Sequence, residues 1–381
     1  LTPPPLLLLT DWFAPGYRVG GPIRSTVNLA KALQNDLDIR ILTSHKDHNS
    51  NTPYPNIEAN TWLTYDKNIQ VFYCSESHQN LKTVKKIIQD VQPDSIYLNS
   101  MFSPVFTITP LRLLLQKQIS CPVILAPRGM LKESALQFKA TKKKIFLNLI
   151  KGLGLHKKIH FHATTAEEAQ YVKKIFGRNS RVTTLNNLPA AVDNYQIKEK
   201  TDPCKLIFVG RIHPIKGLDH LLSCLKTVTK PVSLSIVGHL EDEKYWDRCL
   251  KIIHSFPPHI TVDYLGELPH HLLKTKLEEH HFLALPTQGE NFGHAIFEAL
   301  ASGLPVIISD QTPWRELCPK KVGWDLSLNQ PSAYSQALEA AAAMDQATYN
   351  QWSRSAWQFA KDYIDHSNIK QQYLELFSQK E

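Results

Sequence analysis

Short, nearly continuous apolar runs alternate with longer amphipathic stretches along most of the chain. In the first half the runs are "PLLLLT", "DIRILTS", "IQVFYCS", "DSIYLNS", "PVILAP" and "IHFHATT"; in the second they are "CKLIFVG", "VSLSIVG", "ITVDYLG", "HFLALPT" and "LPVIIS". A strand wetted on one face alternates apolar with polar residues, whereas a strand covered on both faces does not. These runs therefore predict strands of parallel sheets sandwiched between helices. The helices are predicted by 3.6-residue spacing in "PIRSTVNLAKALQ", "LKTVKKIIQDV", "TAEEAQYVKKIF", "GLDHLLSCLKTV" and "HHLLKTKLEEH". Thr165 and Glu168 have the spacing of a capping box. Strand alternating with helix implies βαβ units and an open, doubly wound α/β sheet.

The strands are too many for one such sheet. The stretch "TLNNLPAAVDNYQIKEKTDPCK" is polar, holds Pro189 and Pro203, and lacks a strong period, so Leu188 to Pro203 is the expected linker. The expected organisation is a first α/β domain over 1–187, a second over 188–360, and a final helix over 361–381 packing back on the first. In such sheets ligands bind beyond the carboxyl ends of the strands, so a cleft between two of them is the expected site.

Charge and cysteines narrow the function classes. The net charge of +8 favours an anionic partner: nucleic acid, a phosphorylated small molecule or an acidic membrane surface. Nucleic acid fits worst, because the basic residues do not interleave with aromatic ones as stacking platforms do. The six cysteines form no CxxC pair, which argues against a zinc knuckle or redox pair and for a reducing, cytoplasmic setting. No apolar run approaches the ~20 residues of a membrane span. "LTPPPLLLLTDW" lacks both a basic start and an apolar core of about 7–15 residues, so it reads as a first strand and not as a signal peptide. Asp36 and Asp38 mimic a metal-binding DxD, but they lie between a helix and a strand. His156, His160 and His162 have no acidic or cysteine partner nearby. No metal site is read from either group.

Two stretches carry chemistry. After "KLIFVG" comes "RIHPIKGLDHLL": Arg211 past a strand end, then Lys216, then Gly217 opening a helix. Two cations converging on a helix N-terminus suit a diphosphate; two solvated surface cations are the plainer alternative. The order of a P-loop is missing, and so is GxGxxG. In "LPTQGENFGHAIFEALASGLPVIIS" a strand, a turn and a helix follow one another, with Gly303 as the helix stop. Glu290 lies in the turn and Glu298 inside the helix. The amides near Phe292 to His294 are first-turn donors suited to phosphate oxygens, and the carboxylates suit sugar hydroxyls. Alternatively, Glu290 partners the helix dipole and Glu298 is an exposed helix residue.

Taken together, "VGRIHPIKG", "PTQGENFGHAIFEALASGLPVI" with its E-x7-E pair, and "GYRVGGPIRSTVNLAKAL" resemble the retaining glycosyltransferases of family 4. The likeness spans nearly the whole chain and is strongest from Lys205 to Ser309. It implies the GT-B architecture, two Rossmann-like domains facing across a cleft, with acceptor on the first and nucleotide sugar on the second. It further implies that Arg211 and Lys216 grip the donor diphosphate, that Glu290 contacts the transferred sugar and that Glu298 holds the ribose hydroxyls. Asn291, Phe292, Gly293 and His294 would line the donor through their amides. Gly266 and Glu267 match the loop that contacts the base, and Gly20 and Gly21 match the glycine loop of the first domain, where Arg24 would add a cation. Many relatives carry a histidine where this chain has Arg128 and Gly129. Arg128 therefore acts near the reacting sugar or is a cation of the cleft.

The implied reaction moves a sugar from a UDP- or GDP-linked donor to a hydroxyl of a glycan or lipid-linked glycan, with retention and with no obligatory cofactor or metal. The implied setting is bacterial surface polysaccharide: O-antigen, capsule or exopolysaccharide. An epimerase or phosphorylase on the same scaffold is the alternative. The basic segment 139–158 carries Ile145, Phe146, Leu149 and Ile150 at helical spacing. It is either a domain helix with a solvated face or a helix that leans on anionic lipid, as a polyprenyl-diphosphate-linked acceptor would require.

Overall fold

The computed structural model describes residues 3–137 and 140–379. The chain up to Leu188, joined by the chain from Asn368 on, makes one unit; Pro189–Ser367 make the other. The first holds strands β1 (Pro5–Leu9), β2 (Asp38–Ser44), β3 (Trp62–Asp66), β4 (Ile69–Cys74), β5 (Ser95–Leu98), β6 (Val123–Leu125), β7 (Ile159–Ala163) and β8 (Val182–Thr184), in the order 3-4-2-1-5-6-7-8. All neighbours are parallel except β3, which pairs antiparallel with β4. The central strand β1 shows why its sequence has no polar position. Leu7 and Leu9 enter one core with Ile96, Leu98 and Phe161, while Leu6 and Leu8 enter the other with Ile39, Ile41 and Tyr97. The helix Ile369–Ser378 covers this second layer with Ile369, Tyr373, Leu376 and Phe377.

The second unit holds β9 (Cys204–Val209), β10 (Val232–Val237), β11 (Ile260–Gly266), β12 (Phe282–Leu285), β13 (Val306–Ser309) and β14 (Gly323–Leu326), all parallel, in the order 11-10-9-12-13-14. The strand order reverses between β9 and β12, the point at which doubly wound sheets open a crevice for ligands. Three strands escape the hydrophobic pattern. β3 and β8 are sheet edges, and β14 closes the other sheet; all three are mainly half-buried and so lack continuous apolar runs.

From Pro189 the linker lies on the second unit, where Trp357 donates to Asp193 O (2.7 Å) and Gln346 to Lys198 O (2.9 Å). The helix Gln346–Asp365 buries Ala356 and Ala360 in the same core. Residues 361–367 therefore stay with the second unit, and the chain returns to the first at Asn368 instead of at the expected residue 361.

Each unit holds a buried histidine kept neutral. His162 bonds the Tyr97 hydroxyl (2.7 Å) and Leu185 O (3.0 Å); burial, then the Arg128 charge, pushes it down to about 3. His281 accepts from Lys205 N (2.9 Å) and bonds Glu199 O (3.0 Å); burial, then Lys200, pushes it down to about 4. Both values lie below the unfolded value of about 6.5. Between the two limits the unfolded chain binds more protons. The stabilisation is thus complete above about pH 6.5 and is lost as pH falls toward 3 to 4, by up to about 1.4 kcal/mol per pH unit per histidine. Urea midpoints at pH 7.5 and 5.0 should differ in that direction, and His281→Gln should flatten the second unit's share.

Candidate functional site

The carboxyl edge of the second sheet carries those predicted residues that belong to the second unit. Past β9, Gly210 to Ile212 run beside the loop after β10, with Gly210 N donating to Val237 O (2.9 Å) and Ile212 N to His239 O (2.8 Å). Arg211, held on this extension, reaches Glu241 (Nη1–Oε2 2.5 Å) in a half-exposed pair. The next turn is capped by His213, whose Nδ1 accepts from Ile215 N (3.2 Å). It ends at Gly217, whose φ of 71° lies in the left-handed region; a Cβ there would fall 2.1 Å from Pro286 O. This turn is hooked to the loop after β12, because Gln288 N donates to Ile215 O (2.7 Å) and the Thr287 hydroxyl to the same oxygen (3.2 Å). Lys216 and Glu290 are thereby brought into a direct ion pair across the strand-order reversal. Their side chains are only 17% and 16% exposed, so the pair is largely withdrawn from water.

Glu290 is fixed through its own amide, which donates to Gln311 O (3.1 Å). Phe292 turns its ring into a cluster with Phe297, Trp314 and Tyr363, and Trp314 Nε1 donates to Phe292 O (2.6 Å). What this position offers a ligand is backbone. Gly293, at φ 78°, is the N-cap of the helix His294–Ala301 and brings no side chain of its own to close it. That helix ends as expected at Gly303: Leu304 N bonds Ala299 O and Gly303 N bonds Leu300 O (2.9 Å each), a Schellman closure. Glu298 is not an exposed helix residue. It is buried, with Oε1 3.3 Å from His270 Nε2. At the end of β11, Gly266 (φ 71°) turns the chain and Glu267 bonds His239.

The four strand ends thus carry acid–base contacts: Arg211 with Glu241, Lys216 with Glu290, His239 with Glu267, and His270 with Glu298. Glu241, His239 and His270 escape the sequence reading. Their only signal is position, as polar residues just after the runs "SLSIVG" and "VDYLG". Positive groups at β9, a helix N-terminus and carboxylates beside them provide charge for a diphosphate and acceptors for hydroxyls.

Arg128, Gly20 and Gly21 belong to the first unit. Gly20 (φ 61°) precedes the helix Gly21–Leu33, and a Cβ at either glycine would meet nothing within 4 Å. Arg24 lies in that helix's first turn, its N donating to Gly20 O (3.1 Å). Arg128 follows β6 with φ 55°. Its guanidinium donates to Asn99 (2.6 Å), to the Tyr97 hydroxyl (3.0 Å) and to the Asn187 carboxamide, bracing three segments of the unit. Glu168 corrects the capping-box expectation. Its amide does bond Thr165 Oγ1 (3.1 Å), but its buried carboxylate accepts from Thr164 N (2.6 Å), Thr164 Oγ1 (2.8 Å) and Gly129 N (2.5 Å). It therefore anchors the Arg128–Gly129 turn. His160 bonds Thr183 (2.7 Å) and His162 bonds Tyr97. Among the described residues no group of three or more His, Cys, Asp or Glu is placed to hold a metal ion.

Two parallel-sheet α/β units of this topology define the GT-B class of glycosyltransferase folds. Sucrose-phosphate synthase from Thermosynechococcus elongatus superposes with a TM-score of 0.70 at 16% identity, over 98% of each chain. Anabaena HepE in complex with UDP-glucose gives 0.64 at 17%, over 98% of this chain and 99% of that one. WaaG, a glycosyltransferase involved in lipopolysaccharide biosynthesis, gives 0.59 at 14%, over 98% and 100%. At these identities the likeness is one of fold. Residues 193–358, most of the second unit, match the family model Glycosyl transferases group 1. No curated protein matches the chain in sequence.

Proposed function

We propose that the protein transfers a sugar from a nucleoside diphosphate sugar to a hydroxyl of a glycan or lipid-linked glycan, with retention at the anomeric carbon, in the assembly of bacterial surface polysaccharide. The observation that carries this reading is the Lys216–Glu290 pair at the reversal between β9 and β12, beside Arg211 and the start of the helix His294–Ala301. Lys216 and Arg211 neutralise the diphosphate as the glycosidic bond breaks and negative charge grows on its oxygen. Amides from Asn291 to His294 add oriented donors. Preorganised charge of this kind is the main protein contribution to such a step. Glu290 accepts from a hydroxyl of the transferred sugar, and its contact with Lys216 holds that ammonium in place. Glu298, oriented by His270, takes the ribose hydroxyls, and the loop at Gly266 and Glu267 meets the base. The acceptor oxygen bonds to the anomeric carbon on the face the diphosphate leaves, and its proton passes to the departing phosphate oxygen. Arg128, through Asn99 and Asn187, positions the first unit's edge.

UDP is the first donor to test, because HepE, which superposes on this chain, has been solved with UDP-glucose. A thermal-shift panel of UDP, GDP, ADP and dTDP with their sugars should show one base that stabilises the protein. A ligand at a hundred times its Kd contributes about 2.7 kcal/mol. A flat response to all of them overturns the reading. With the binding donor, turnover should persist in excess chelator, and NMR of the product should show the donor's anomeric configuration.

A further inference from the structure

The helix Ala140–Gly152 carries most of the basic segment, and Lys139 of that segment lies outside the described residues. The sequence places Ile145, Phe146, Leu149 and Ile150 on one stripe; the structure divides that stripe in two. Leu147 and Ile150 are buried in the first unit's core, and Phe146 packs edge-on against Phe102, with ring centroids 5.8 Å apart. Lys143 joins this inner face, donating to Ala135 O (2.6 Å) with its ammonium over the Phe102 ring. Ile145, Leu149 and Leu153 form the second stripe, and they face water: they are 63%, 56% and 48% exposed. Four residues apart, they lie nearly in line. Leu153 N still bonds Leu149 O (3.0 Å), so the line continues through the helix end.

We propose that this outer stripe docks on an anionic lipid bilayer. The inner face already anchors the helix, so the outer leucines and isoleucine do nothing for the core. Exposed together they form an apolar strip of a kind that marks interaction surfaces. The charge around them selects the partner. Lys142 stands on the stripe itself. Lys144 and Lys151 stand on the helix's other exposed flank, and exposed Lys157 and Lys158 follow its end. A helix is about 10–12 Å across, close to a Debye length at physiological salt, about 8 Å, so all of these charges act on a surface the stripe touches. Residues 140–158 contain no acidic residue. A second copy of the chain would set these lysines against one another. Nucleic acid would use the lysines and leave three aliphatic side chains wet. An anionic bilayer uses both, with apolar chains in the interface and ammonium groups at the phosphates.

The test is flotation of the whole protein with vesicles of pure phosphatidylcholine and of phosphatidylcholine with a third phosphatidylglycerol. The protein should float with the anionic vesicles and stay down with neutral ones. Ile145→Ser/Leu149→Ser should abolish flotation, and both side chains are exposed, so the fold should be kept; an unchanged thermal midpoint verifies this. Lys142→Gln, Lys144→Gln and Lys151→Gln should each weaken partitioning about fivefold, with the loss growing as changes are combined. Failure to float on either vesicle, or flotation unaffected by Ile145→Ser/Leu149→Ser, overturns the proposal. So does a concentration-dependent dimer that the same double change dissociates, or salt-sensitive binding to random DNA that it leaves intact. The readout involves no sugar donor, so its outcome is independent of the transfer reaction proposed above.

Discussion

Lys216→Ala is expected to lower kcat by about a hundred- to a thousandfold, the usual effect of removing one preorganised donor from a developing negative charge. The structure adds a consequence for stability. Lys216 faces Glu290 in a pair largely withdrawn from water, and removing one partner leaves the other charge uncompensated. Lys216→Ala should therefore also lower the thermal midpoint, and Glu290→Gln placed in the same chain should restore part of it. Turnover should not return with the second change, because the ammonium is still missing. Circular dichroism, thermal midpoints and steady-state kinetics on the two single variants and the double variant separate these effects. A folded Lys216→Ala protein with turnover within a few-fold of the parent would sink the assignment of Lys216 to the leaving diphosphate.

Gly217→Ala should damage fold and activity together. Two costs combine at this residue. A left-handed conformation costs an ordinary L-residue roughly 1–2 kcal/mol. The new Cβ would also lie 2.1 Å from Pro286 O, a backbone atom that cannot swing aside, and forcing atoms into such a contact costs about 1–3 kcal/mol more. Relief requires the Lys216 turn and the loop after β12 to move apart, which separates Lys216 from Glu290. Gly154→Ala is the matched control. Its φ of 64° and ψ of 11° lie in the same left-handed region, but nothing lies within 4 Å of the added carbon, so only the conformational cost of roughly 1–2 kcal/mol should appear. Urea unfolding of the two variants measures the difference. Equal losses would mean that the Pro286 contact is not what fixes this turn.

Much of the fold is legible in the sequence because parallel strands buried on both faces must be continuously apolar. β1, β2, β5, β9, β12 and β13 announce themselves in that way. β3, β8 and β14 do not, since half-buried strands have no such constraint. In the site, the glycines and the order of charges reveal the backbone geometry: Gly217, Gly266, Gly293 and Gly303 all adopt positive φ. Pairing is harder to read. Lys216 and Glu290 are 74 residues apart, and only the neighbouring positions of β9 and β12 in the sheet bring them together. His270 with Glu298 and His239 with Glu267 depend on strand adjacency in the same way. Glu168 shows the converse: the local motif predicts its amide bond to Thr165, while its carboxylate is shared between the neighbouring Thr164 and the distant Gly129 amide.

The chain passes from the first unit to the second at Leu188 and back at Asn368, so the second unit is an insertion within the first. During synthesis the second unit has all its residues before the first does. Until the helix Ile369–Ser378 emerges, the layer beside Leu6, Leu8 and Tyr97 lacks Ile369, Tyr373, Leu376 and Phe377, and the His162 ring lacks its contact with Tyr373. The half that the ribosome begins first is therefore the half that is completed last. Losing the final helix leaves the inserted unit's own core residues in place while uncovering an apolar layer near the beginning of the chain.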